Sequence, residues 1–375
     1  GRVMGELTAT GQVALPVSGG LDSRSTVAAL SGETASSSRL WAYSYGFGDD
    51  SMETEIARQV ARCRELHFDS FAIGPYLFGS MNRIMAAVEG FEDVTICRQA
   101  AVTDEIDQHS DFLIAAHWGD VFLDDMGLDR ASHPVEDLRS FAARKFRKRG
   151  SDWLLDHLVR PRLGVDPAGA LQELFVTSWE RTQQIDDIDF RFKALKTEHW
   201  SARWTTVGLR MFQAAAFPRL PFYDTRMSDF FCTVPTGYLR GRRLQIDYLK
   251  RYAPDLAGIR WQATGRDLFQ NGQRPLMDMA VRALRKGQRR LAGRKIWERN
   301  WEVQLLSEEG FSELSRRLLS PGLALHEFLA PAPIAELLAS FRADPWGEHR
   351  GYAVAMLLTF SAWLELQAYR VERPL

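Results

Sequence analysis

The sequence predicts an α/β fold, a parallel sheet flanked by helices, with a mainly helical C-terminal half. Three observations predict it. Short apolar runs end in glycine turns, helical patterns follow them, and after about Ser132 the chain changes to long stretches rich in Trp, Leu and Arg.

The first run, Gln12 to Val17, ends in Ser18-Gly19-Gly20, and Ser23 to Leu30 then reads as a helix. The second, Leu40 to Tyr45, ends at Gly46 and precedes a helical pattern through Glu55, Ala57, Val60 and Ala61. A third, Asp111 to Ala116, ends in His117-Trp118-Gly119-Asp120. Strands alternating with helices imply crossover connections and a parallel sheet covered on both faces. Ligands of such sheets sit beyond the carboxyl ends of the strands. The expected division is an α/β core over residues 1–132 and a helical remainder over 133–375 that packs on it.

The totals narrow the function. With 375 residues, 45% apolar and 11% aromatic, the chain can bury a substantial core. Its 47 basic and 48 acidic residues nearly cancel, so no global charge drives it to nucleic acid or anionic membrane. Of the basic stretches Lys145 to Arg149 and Arg282 to Lys295, the second, with Leu284 and Leu291 among its charges, reads as a solvated helix face, and nucleic acid is not an expected partner. Gly351 to Leu364 is shorter than the roughly 20 residues of a bilayer span and reads as a core helix, so no membrane is expected either. Cys63, Cys97 and Cys232 lie far apart without a CxxC pair, which fits a reducing compartment, and the cytoplasm is the expected location. No signal-peptide pattern precedes the first motif, and a chain opening on Gly1 reads as a fragment.

The loop Ser18-Gly19-Gly20-Leu21-Asp22-Ser23 carries the chemistry. Its glycines let backbone N–H groups approach phosphate oxygens, and a helix N-terminus supplies unpaired donors and partial positive charge. Ser18 and Ser23 add hydroxyls. Asp22 would repel phosphates unless a divalent cation lies between, so Mg²⁺ belongs to the expectation. The glycine spacing and Lys of a Walker A motif are absent.

This loop resembles the SGGxDS loop of the ATP pyrophosphatase (PP-loop) enzymes, whose fold is that of the adenine nucleotide alpha hydrolases. Further segments are similar to the synthetase domain of the glutamine-hydrolysing (class B) asparagine synthetase superfamily. Tyr43-Ser44-Tyr45-Gly46 matches the strand end where backbone meets adenine, and His117-Trp118-Gly119-Asp120-Val121-Phe122-Leu123 resembles GEGGDELF. Arg219-Leu220-Pro221-Phe222-Tyr223-Asp224 resembles RVPFLD, with the Leu249-Lys250 helix following in order. The resemblance implies ATP bound by Ser18, Gly19, Gly20, Leu21, Asp22, Ser23, Tyr45, Gly46 and Gly119, with Mg²⁺ held by Asp22 and Asp120. It implies an AMP-forming ligase that activates a small carboxylate, aspartate or an analogue, as an acyl-adenylate for an amine or ammonia donor. It also implies a glutaminase domain upstream of Gly1. Related amide-forming enzymes, the lasso-peptide cyclases and β-lactam synthetases, and a catalytically silent nucleotide binder are the alternatives.

Two positions depart from the pattern. The family's catalytic Glu falls on His117, which as a neutral imidazole could accept a proton. Its late WRQK segment falls on Trp261-Gln262-Ala263-Thr264, so Thr264 stands where a Lys stabilises charge. Loss of one such donor costs roughly 10²–10³ in rate unless compensated. Lys250, taken as catalytic, and also Arg260 and Arg266, are the nearby cations. Asp124 and Asp125 stand where the family has small glycines and read as a solvated turn, with extra metal ligands as the alternative.

Overall fold

The computed structural model describes residues 1–48, 51–124, 126, 147–164, 166–270 and 299–372. Asp125, the boundary expected near Ser132, Lys145 and the basic stretch from Arg282 to Lys295 lie outside the described residues. The chain forms two compact units that interleave along the sequence. Unit 1 comprises Gly1–Gly74, Val102–Asp125 and Phe212–Glu298, and unit 2 comprises Pro75–Ala101, Met126–Met211 and Arg299–Leu375. A single cut after residue 132 therefore does not describe the division. The physical reason is that a late strand and two late helices complete the sheet layer of unit 1.

Unit 1 holds a five-stranded, all-parallel sheet of order β3-β2-β1-β4-β5. The strands are β1 (Val13–Pro16), β2 (Leu40–Gly46), β3 (His67–Ala72), β4 (Phe112–Ile114) and β5 (Phe217–Arg219). The helices used below are α1 (Leu21–Ala28), α2 (Met52–Arg62), α3 (Thr103–His109), α4 (Gly119–Phe122), α5 (Thr225–Thr233), α6 (Arg243–Tyr252) and α7 (Pro254–Ala257). Register is set by pairs such as Leu15 with Ala42 and Val13 with Phe112.

Alternate residues of the central strands face opposite cores, as a period of two demands. Val13 and Leu15 of β1 and Val17 just after it, with Leu40 and Ala42 of β2, pack with Leu21 and Val27 of α1, Ile56 and Val60 of α2, and Leu249 of α6. Full burial of each large aliphatic chain contributes roughly 1.5–3 kcal/mol. Trp41, Tyr43 and Tyr45 stack along the other face of β2, and Trp41 also stacks on His109 of α3 at 4.7 Å. Burial on both faces explains why these strands read as unbroken apolar runs.

The edge strands read differently. Most of β3 is exposed, and β5 is three residues long with a proline at its centre. Neither bears an apolar alternation. Proline is tolerated in β5 because an edge strand need not donate on both sides.

Unit 2 is helical. Met81, Ile84, Met85 and Val88 lie three and four residues apart on one helix, Met81–Val88. They join Leu314 and Leu318, Leu337 and Phe341, and Val354 and Leu358 from three further helices in one core. The stretch from Gly351 to Leu364 lies within Arg350–Glu372, whose Ala353, Val354, Leu357 and Leu358 are buried. Among the described residues no helix is long and apolar enough to cross a membrane.

Candidate functional site

The sheet order reverses at β1. β2 and β3 lie on one side of it, β4 and β5 on the other, so the carboxyl ends of β1 and β4 flank a topological switch point. Chain leaving β1 forms the Ser18–Ser23 loop, and chain leaving β4 forms His117 to Asp120. The two sets of residues singled out by sequence therefore leave adjacent parallel strands.

The loop is braced by its own hydroxyls. Ser18 N–H donates to Ser23 Oγ at 3.0 Å, the two hydroxyl oxygens are 3.0 Å apart, and Gly20 N–H donates to Ser18 Oγ at 3.2 Å. Gly20 is the extended residue before α1, and Leu21, Asp22 and Ser23 form the first turn. Gly19 has a role that phosphate binding alone would not suggest. A Cβ there would lie 2.7 Å from Gln262 Oε1, and the Gln262 N–H donates to Gly19 O at 3.1 Å.

Gln262 belongs to a tight turn. Gly265 N–H donates to Trp261 O at 2.7 Å, and Trp261 N–H donates to Arg266 O at 2.7 Å. Thr264 lies inside this turn, its hydroxyl 3.4 Å from the Arg266 N–H. Arg24 anchors the segment before it. The fully buried guanidinium donates to Leu256 O at 3.2 Å, Ile259 O at 2.8 Å and Arg260 O at 2.7 Å. Burial lowers its pKa to about 10, which leaves it charged at neutral pH. One arginine thus ties the helix of the glycine loop to the turn that rests on that loop.

Asp22 and Asp120 are brought together. A Cβ on Gly119 would lie 2.8 Å from Asp22 Cγ, so only glycine allows α4 to start against that carboxylate. Trp118, just before it, has a left-handed backbone with φ of 73°, a conformation disfavoured for a bulky residue. Its ring packs on Tyr223 at 4.5 Å. Burial raises the Asp22 carboxyl above its ordinary range, Arg242 and the Gln245 hydrogen bond oppose the rise, and the charge of Asp120 adds to it. Both donors go to one oxygen: Arg242 Nη1 at 2.9 Å and Gln245 Nε2 at 3.0 Å from Oδ1. Among the described residues Oδ2 accepts no hydrogen bond. Two crowded carboxylates of this kind could hold a divalent cation together with ligand oxygens. No group of three or more His, Cys, Asp or Glu among the described residues would hold a metal by itself.

His117 sits beside this pair. Burial lowers its pKa to about 4, against an upward pull from Asp120, and its ring meets Phe212 edge-on at 5.7 Å. It is neutral at pH 7, yet that low basicity makes it a weak proton acceptor, because a general base works best near the operating pH. Gly46, at the end of β2, is required by Ser51, whose side chain would overlap an added Cβ. Tyr45, one residue earlier, stacks with Tyr43 at 6.4 Å. Lys250 is not brought to the loop by any contact. Its ammonium lies 5.8 Å from the Phe269 ring, and among the described residues it makes no hydrogen bond or ion pair.

Asp224 caps α5 through the Arg226 N–H at 3.0 Å, and Arg226 pairs with Glu6, so the Arg219–Asp224 segment is built for structure. Asp124 is not a bare turn residue, since its Oδ2 lies 3.5 Å from Arg242 Nε.

Sequence reasoning missed Arg24, Arg242 and Gln245, and named Gln262 only as part of the Trp261–Thr264 segment. Arg24 alone left a signal, a lone basic residue on a helix buried at Leu21, Ser23, Ser25, Thr26 and Val27. Comparison of the chain with protein-family models and with curated proteins finds no match, so the chemistry of the site has to carry the functional reading.

Proposed function

We propose that unit 1 binds ATP with Mg²⁺ on the Ser18–Ser23 loop, and that the chain is an AMP-forming, amide-forming ligase of the asparagine-synthetase type. The observation that carries this reading is the meeting of Asp22 and Asp120 at the switch point, beside a hydroxyl-braced glycine loop that opens a helix. Asp22 and Asp120 would hold the Mg²⁺, with water and phosphate oxygens completing its shell, as this ion prefers. The bound ion would offset the charge of the departing pyrophosphate.

The protein's own groups hold the nucleotide and orient the substrate. A small carboxylate, aspartate or an analogue, attacks the α-phosphorus, and the bond to pyrophosphate breaks. An amine or ammonia then attacks the acyl carbon, the bond to AMP breaks, and the nitrogen gives up its proton. Splitting amide formation this way replaces one difficult step by two easier ones. His117, being neutral, serves as a hydrogen-bond partner for the amine and leaves full proton removal to solvent or phosphate. An upstream glutaminase domain would be one source of ammonia.

The test is release of AMP and pyrophosphate from ATP and Mg²⁺ by the purified chain, supplied with labelled aspartate and ammonia and then with other carboxylates. Labelled asparagine supports the asparagine-forming reaction. Substrate-dependent AMP without asparagine supports a relative acting on another carboxylate, as lasso-peptide cyclases and β-lactam synthetases do. Release of ADP and phosphate instead would sink the reading. A second reading, ATP binding without turnover, is favoured by the Arg242 guanidinium on Asp22 and by the weak basicity of His117. It predicts tight ATP binding with no pyrophosphate under any substrate tried.

A further inference from the structure

We propose that Arg242 recognises the polyphosphate tail of the nucleotide and makes the site prefer ATP to AMP. The inference deepens the ATP reading above and rests on it. Arg242 reaches the site from a part of the chain far from the loop, 220 residues from Asp22 and 118 from Asp124. Its Nη1 donates to Asp22 Oδ1 at 2.9 Å and lies 3.4 Å from Gln245 Oε1, and its Nε faces Asp124 Oδ2 at 3.5 Å. Only 17% of the side chain is exposed. These contacts engage Nε and Nη1. Among the described residues Nη2 makes no hydrogen bond, so the planar fork keeps donors for a further anion.

Charge balance says which anion. Asp22, Asp120 and Asp124 are three acidic side chains around the loop, and the groups that brace it, Ser18, Ser23 and Gln245, are neutral. A nucleotide tail adds negative charge to an already negative place, and one magnesium ion offsets only part of it. Each phosphate added beyond the first increases the need for a fixed cation. Arg242 is permanently charged, and charge-assisted bonds from guanidinium to phosphate are among the stronger ones.

The backbone supports a placed residue. Arg242 has φ of 62° directly after Gly241 at 60°, two left-handed residues in succession that turn the chain into α6. A left-handed arginine is disfavoured and persists where the surrounding contacts determine it.

The test compares affinities of the full chain and of Arg242→Gln for ATP with Mg²⁺, for inorganic pyrophosphate and for AMP, with melting curves to verify folding. The expected result is a loss of at least about tenfold for ATP and pyrophosphate, with AMP changed by less than about twofold. Arg242→Lys should recover part of the loss, since a point charge remains without the fork. Equal losses for ATP and AMP would mean that Arg242 only braces Asp22, and no loss would remove any role; either outcome overturns the proposal. If Arg242→Gln fails to fold, Arg242→Lys carries the comparison, and an ATP-to-AMP ratio equal to that of the unmodified chain overturns it. A parent chain that binds no nucleotide at all would instead defeat the ATP reading, and this inference with it.

Discussion

Replacing Arg24 by Met should loosen the turn that rests on the glycine loop while the sheet persists. The guanidinium satisfies three backbone carbonyls, at 3.2, 2.8 and 2.7 Å, in a place with no solvent exposure. Each bond lost from the charged guanidinium costs about 1.5–3 kcal/mol, although Leu256 O keeps the Ile259 N–H. Against that, a buried cation whose pKa is drawn down to about 10 already costs the fold about 3 kcal/mol, which the substitution returns. The net is a destabilisation of about 3 kcal/mol, concentrated where the three carbonyls lie. Hydrogen exchange is the assay, read at the Leu268 amide, which donates to Ala257 O, and at the Gln262 amide, which donates to Gly19 O. Both should exchange about 100-fold faster in the variant, with the amides of β1 and β2 less affected. Unchanged exchange at Gln262 and Leu268, with an unchanged melting curve, would refute the assignment of Arg24 as the anchor.

The remaining predictions concern contact and charge. Gly119→Ala places a Cβ 2.8 Å from Asp22 Cγ, so the carboxylate must shift off Arg242 and Gln245; affinity for ATP with Mg²⁺ should fall by about tenfold or more, as titration would measure. Gly237→Ala, where an added Cβ meets nothing within 4 Å, is the control, and equal affinities in the two variants would refute the contact. His117 has a folded pKa of about 4 against an ordinary 6.5, so its contribution is complete above pH 6.5 and is lost as pH falls toward 4. Between pH 7 and pH 5 denaturant unfolding should therefore register a loss of about 2 kcal/mol that His117→Phe does not share. Glu92 runs the other way in unit 2, where burial and then Asp93 raise its carboxyl to about 7. Its contribution is complete below pH 4.5 and lost as pH rises through 7, so Glu92→Gln should stabilise the chain by about 3 kcal/mol at pH 8 and little at pH 4.5, as unfolding at the two pH values would register.

The central strands were legible because both of their faces are buried. Val13 to Pro16 and Leu40 to Tyr43 carry apolar side chains whichever way they point, and the glycines after them punctuate the ends. The edges were not legible, since β3 has exposed His67, Asp69 and Ser70 and β5 has Pro218 among three residues. Interleaving of the two units was hidden for another reason: a helix with one apolar face does not announce which core it will join. α6 buries Ile246 and Leu249 under the sheet of unit 1, while Ile84 and Val88 serve unit 2, and their spacing is alike.

The site divides along the same line. Residues that leave strand ends, such as Ser18, Asp22, His117 and Asp120, could be placed from sequence because topology puts strand ends together. Arg242 and Gln262 come from turns far along the chain, and turns have no period that predicts where they dock. Their effect on the glycines is what sequence reasoning misattributes. A glycine in such a loop is read as room for a phosphate, whereas Gly19 leaves room for Gln262 and Gly119 leaves room for Asp22. At both positions an added Cβ would come within 3.0 Å of the neighbouring side chain, closer than any residue with a Cβ tolerates unless something shifts. The glycines therefore fix the supporting shell first, and the geometry of the loop follows from that shell. Enlarging either residue should disturb the carboxylate pair or the docked turn before any ligand arrives, which separates the architecture of the site from the identity of what it binds.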